Sequence, residues 1–143
     1  MGPHACAVRP AMAGAPVLTI CSGELPPNAE SVVAAREIVA SVTEHLPRKA
    51  REAAALVASE LATNCVVHAQ TPFEVFAAAD DETVEVVVAD RAGWAPTRDH
   101  GETRQLGNGL LLVGLLASDW AAELESAGKR VWARLEIDDV PSY

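Results

Sequence analysis

Aromatic side chains are scarce in this sequence: two Phe, three Trp and one Tyr among 143 residues. Any core must therefore be filled by Ala, Val and Leu, and the apolar half of the composition is enough to build one. Runs rich in Lys and Arg are missing too. The formal net charge is -9, and an acidic chain is repelled by nucleic-acid phosphates. Direct nucleic-acid binding is therefore not expected. No apolar run approaches the ~20 residues that a helix needs to cross a bilayer. The longest apolar-rich piece, Leu110 to Ala117, is far too short, so no membrane association is expected. Cysteine is limited to Cys6, Cys21 and Cys65. An odd, widely spaced set does not suggest a disulfide framework, and reduced thiols in a cytoplasmic protein are the simpler expectation. The Pro/Gly/Ala-rich start lacks the continuous apolar stretch of a signal peptide. Residues 1–15 are expected to form a disordered leader, followed by one domain over residues 16–143.

Periodicity then orders the chain. Pro16 to Ile20 reads as a short strand. Asn28 can cap a helix on which Val32, Ala35, Ile38, Val39, Val42 and Leu46 fall at helical spacing. Pro47 separates it from a second helix, from about Arg48 to His68, which Pro72 ends. Phe73–Ala77 and Val84–Ala89 look like strands joined by a turn at Asp80-Asp81-Glu82. Residues 93–108 are polar, glycine-bearing and aperiodic, which marks a long loop of functional type or a disordered one. A third helix, roughly Gly109 to Ser118, leads into a closing hairpin. Its last strand alternates Val131, Ala133, Leu135 and Ile137 with Trp132, Arg134 and Glu136. Paired hairpins and three amphipathic helices predict a two-layer α/β sandwich: a mixed, mostly antiparallel sheet with three helices on one face.

Three features do not fit a plain core. Glu60, Asn64 and His68 recur at i, i+4 and i+8 of the second helix, inside the arc shared with Leu56, Val57 and Leu61. A buried polar group without a partner costs roughly 1–3 kcal/mol, so a polar stripe there needs a reason. One explanation places it at the edge of the apolar face, with water or backbone partners; another makes it a site. A metal site built from all three is the weaker option, because they do not converge on one tetrahedral ion. The second feature is Gly107-Asn108-Gly109-Leu110 at the start of the third helix. Unpaired N–H groups there, with glycines that allow close approach, make a phosphate-binding arrangement. A flexible loop ending at a helix has the same composition. The third is Asp90, which closes a strongly apolar strand before Arg91-Ala92-Gly93. It either caps a turn or offers a pocket a carboxylate acceptor for an exocyclic amine.

Together and in this order, these features resemble one family. Ser59-Glu60-Leu61-Ala62-Thr63-Asn64-Cys65-Val66-Val67-His68-Ala69 is similar to the N-box of the GHKL superfamily, in the form used by anti-sigma-factor serine kinases. Asp90 to Gly93 resembles its first glycine box and Gly107 to Leu110 its second. Gly128-Lys129-Arg130-Val131-Trp132 resembles its closing hairpin. The resemblance covers nearly all of the chain after the leader.

The resemblance implies ATP and Mg²⁺ as ligands, and a role for each matching residue. Asn64 would coordinate Mg²⁺, Glu60 would serve as general base, and Asp90 would accept a hydrogen bond from the adenine amine. Gly107, Gly109 and Leu110 would offer N–H groups to the phosphates, with the loop from Gly93 to Leu106 as a lid. His68 would line the pocket, and Arg130 would stand near the phosphates or the adenine edge, where a small hydroxyl residue is common. Ala92 and Trp94 depart from the usual glycines of the first box. The leading expectation is a serine/threonine protein kinase that binds a sigma factor and phosphorylates a small anti-sigma antagonist. The alternative is a regulatory binding module without phosphoryl transfer. Homodimers are common in this group, and the sequence leaves that point open.

Overall fold

A computed structural model describes residues 5–9, 18–91, 107–125 and 128–141. Six strands form one sheet in the order β1-β2-β3-β4-β6-β5: β1 Ala5–Arg9, β2 Leu18–Leu25, β3 Phe73–Ala79, β4 Thr83–Asp90, β5 Asp119–Glu125 and β6 Gly128–Glu136. Every neighbouring pair is antiparallel. Three helices, α1 Glu30–Thr43, α2 Arg48–Asn64 and α3 Gly107–Leu116, pack on one face. The expected two-layer α/β architecture is observed.

Local chemistry explains the element boundaries. The Asn28 side chain accepts the Ser31 N–H at 3.1 Å as α1 begins, the capping expected from the sequence. At the β3–β4 turn, Asp80 Oδ1 accepts the N–H groups of Glu82 and Thr83 at 2.8 and 2.9 Å. This Asx-type turn fixes the hairpin register. The strands alternate as a one-sided sheet requires: Val84, Val86, Val88 and Asp90 are buried while Thr83, Glu85, Val87 and Ala89 are half-buried. Small residues line the helix contacts, including Ala35, Ala50, Ala53, Ala54, Ala58 and Ala62. Phe73 is the one aromatic among the largest fully buried side chains, as the composition predicts.

Two expectations at the N-terminus are corrected. Ala5–Arg9, within the stretch read as a disordered leader, forms β1 and pairs with Leu18–Ser22 of β2. Cys6 and Cys21, read as reduced thiols, form a disulfide between directly opposed residues of these strands. Pairing brings together two cysteines whose sequence spacing carries no signal. Cys65 remains a buried free thiol. Boundaries also shift. β2 runs to Leu25, α3 begins at Gly107, and α2 ends at Asn64, where the chain widens into a π-helical turn, Cys65–Ala69. Gln70 closes that turn in the left-handed conformation (φ 57°). The described helices include none long and apolar enough to cross a membrane.

Candidate functional site

The C-terminal end of α2 and the ends of β4 and β6 enclose a pocket lined by Leu61, Asn64, Cys65, Val88, Asp90, Lys129 and Val131. It is a shallow cleft open to solvent, and its enclosed volume is about 10 Å³. Leu61, Val88 and Val131 give it an apolar floor. Asn64 and Asp90, 26 positions apart in sequence, meet there because the helical face of α2 packs over β4 and β6.

Asp90 is buried, with 6 % of its surface exposed. A carboxylate this deep requires partners, and the sheet register supplies one. The last β4–β6 pair is Ala89 with Arg130, so Gly128 and Lys129 extend beyond the ladder. There the Lys129 N–H donates to Asp90 Oδ1 at 3.1 Å. Gly128 makes this approach feasible. Its φ is +153°, and a Cβ at this position would lie 2.1 Å from the Asp90 carbonyl oxygen. Beyond Asp90, the Arg91 N–H donates to Thr71 Oγ1 at 3.2 Å, and the Arg91 guanidinium pairs with Glu24.

Cys65 forms the back wall. Burial pushes its thiol up to about 12, the negative charge of Asp90 acts in the same direction, and Lys129 opposes them. This cysteine is a protonated, inert wall at neutral pH, because the thiolate is the reactive form.

The other residues singled out in the sequence fall in different places. Glu60 is half-buried on α2, one turn before Asn64. His68 is exposed in the π-helical turn and is not among the lining residues. The wider turn removes it from the i, i+4, i+8 row that an uninterrupted α-helix would make. Gly107, Gly109 and Leu110 lie in the first turn of α3, the end whose N–H groups lack intrahelical acceptors. Gly93 and the lid segment lie outside the described residues. Arg130 departs from its expected place. Strand alternation turns it to the opposite face of the sheet, where it pairs with Glu123 Oε1 at 3.0 Å, and the pocket receives Lys129 instead. The sequence carries the signal: Lys129 has the same parity as inward-facing Val131, Ala133 and Leu135. Among the described residues there is no cluster of three or more His, Cys, Asp or Glu able to hold a metal ion.

The donor set fits a nucleotide base and its phosphates. A buried carboxylate accepts from an amine, an apolar floor receives a flat ring, a carboxamide stands at the rim, and a helix start lies on an adjacent element. No curated protein matches the chain. The sequence profile described as "Histidine kinase-like ATPase domain" matches residues 25–135, a span that contains the whole pocket and most of the sheet. The chain therefore belongs to the histidine kinase-like ATPase domain family, whose domains bind ATP.

Proposed function

We propose that this domain is a serine/threonine protein kinase of the anti-sigma type. It would hold a sigma factor and phosphorylate a serine on a small antagonist protein, regulating transcription in the cytoplasm. The observation that carries the reading is the meeting of Asn64 and Asp90 in one pocket, with Glu60 one helical turn away on the same helix.

In this reading Asp90 accepts a hydrogen bond from the exocyclic amine of adenine, and its backbone clamp to Lys129 holds the carboxylate in place. The first turn of α3 directs N–H groups at the phosphates. Asn64 would hold Mg²⁺, which would supply charge neutralisation for the phosphates. Glu60 takes the proton that a serine hydroxyl gives up as its oxygen bonds to the γ-phosphorus and ADP leaves. Phosphoryl transfer depends on positioning and electrostatics more than on covalent chemistry by the protein, so this small set of residues suffices.

Calorimetric titration of ATP, with and without Mg²⁺, tests the site. Wild type should bind more tightly with Mg²⁺, and Asn64→Ala should lose that gain. Glu60→Ala should bind ATP and fail to transfer phosphate to an antagonist protein; undiminished transfer would refute its role. A second reading, binding without transfer, draws support from Lys129. A lysine at the pocket wall is poised to compete for the carboxylate that adenine needs. ATP binding without phosphorylation of any antagonist would favour that reading.

A further inference from the structure

The strand order leaves β1 and β5 at the two edges of the sheet. An edge strand presents a row of backbone N–H and C=O groups, and proteins usually blunt it with Pro, Lys, a bulge or a short length. β1 is short, at five residues. β5 has none of these devices. It runs seven residues without Pro, Gly or Lys, in unbroken register with β6, and among the described residues no strand lies beyond it. Its side chains alternate. Trp120, Ala122 and Leu124 stand opposite Ala133, Val131 and Lys129, the inward residues of β6, and so share the helix-covered face. Ala122 and Leu124 are nonetheless exposed. α3 continues this apolar border. A Cβ at its Gly114 would stand 3.3 Å from the Trp120 indole nitrogen, and Leu111 and Leu115, one turn apart beside Gly114, are 65 % and 68 % exposed. The opposite face of β5 carries Asp119, Glu123 and Glu125, all exposed, and no cation of its own.

We propose that the β5 edge takes up an extended segment of a protein partner as a further strand, one whose residues alternate between apolar and basic. Backbone pairing along the free edge supplies the ladder. Strand alternation then sends every second side chain of the added segment to the apolar border, against Leu124 and the exposed leucines of α3, and the others to the acidic row. Opposite charges facing each other across two strands stabilise the pair, and like charges destabilise it. Arg130 pairs with Glu123 from β6. The ion pairs among the described residues leave Asp119 and Glu125 out, so the edge has charge to offer. The same row rejects a second copy of this chain. Antiparallel pairing of two β5 edges about Ala122 sets Asp119 of one copy opposite Glu125 of the other, and does so twice. Neither the acidic row nor the apolar border belongs to the pocket lining, so the inference does not rest on the nucleotide reading.

Fluorescence anisotropy of labelled peptides titrated with the full chain tests it. A peptide alternating Lys and Val over the seven-residue length of β5 should bind with a Kd below ~1 mM. One alternating Lys and Ser, of equal charge, should bind at least ~10-fold more weakly. Successive N–H groups of a strand point to opposite edges. N-methylation of one set, the Lys or the Val residues, should therefore abolish binding, and methylation of the other set should spare it. On the protein, Leu124→Ser should weaken the Lys/Val peptide several-fold, and Val33→Ser, on the exposed side of α1, should leave it unchanged. Glu123→Lys combined with Glu125→Lys, with an unaltered circular dichroism spectrum, should shift the preference to a peptide alternating Glu and Val. No binding of the Lys/Val peptide at ~1 mM would overturn the proposal. So would equal affinity for the Lys/Ser peptide, which is general attraction to an acidic chain, or two methylated peptides that behave alike, or a double variant that still prefers Lys.

Discussion

Replacing Gly128 with alanine puts a methyl group where the Asp90 backbone already lies. The new Cβ would stand 2.1 Å from the Asp90 carbonyl oxygen, 2.8 Å from its carbon and 2.9 Å from Arg91 Cα. Carbon–oxygen contacts are normally about 3.3 Å or more, so one strand end must retreat by roughly 1 Å. The atoms in the way are backbone, so no side-chain rotation relieves the clash. Holding a non-glycine residue at a φ of +153° adds about 1–3 kcal/mol of strain. The retreat also stretches the Lys129 N–H bond to Asp90, and a hydrogen bond to a charged group is worth about 1.5–3 kcal/mol. The total is about 2.5–6 kcal/mol. For a domain near this size that lowers Tm by roughly 8–20 °C, readable by circular dichroism. ATP affinity measured below the new Tm should fall too, because the Asp90 carboxylate loses its fixed position. A Gly128→Ala protein that melts within 2 °C of wild type and binds ATP equally would refute the clamp.

Single residues carry the remaining predictions. Asp90→Asn keeps the shape but replaces the carboxylate with a carboxamide; ATP binding by calorimetry should weaken about 10- to 100-fold, about 1.4–2.8 kcal/mol, with little change in fold. Cys65 has a thiol held up to about 12 from an ordinary 9.0. The native state therefore keeps a proton that the unfolded chain releases as pH rises above 9. Its stabilising contribution is complete below pH 9 and lost between pH 9 and 12, at up to about 1.4 kcal/mol per pH unit. Denaturant midpoints of wild type and Cys65→Ala across that range should converge as pH increases. The Cys6–Cys21 disulfide closes a loop of 15 residues, which is about 3 kcal/mol in the chain-entropy account. Dithiothreitol or Cys6→Ser should lower Tm accordingly, and the two treatments together should do no more than either alone.

How much of this was legible in the sequence depends on the range of the interaction. Local rules were sufficient for the turn at Asp80 and the cap at Asn28, because each is made by a side chain within three residues of the N–H it accepts. Helical spacing on α1 and α2 and alternation on β6 revealed which faces are buried, since a one-residue error would expose an entire face. The N-box was legible because Glu60 and Asn64 lie one turn apart on a single helix. His68 was placed by extending that helix through Cys65–Ala69, where the structure has a π-helical turn instead.

The amino-acid sequence by itself determined the two-layer architecture, the Ala- and Val-filled core and the family, all of which rest on short-range pattern. Only the tertiary structure decided the Cys6–Cys21 pairing and the exchange of Lys129 for Arg130 at the pocket. Each of these depends on strand register, which sets which residues from distant parts of the chain become neighbours and which side of the sheet they occupy. Outside the Asp80 hairpin, register comes from the packing of the whole sheet against its helices, and no single stretch of sequence encodes it.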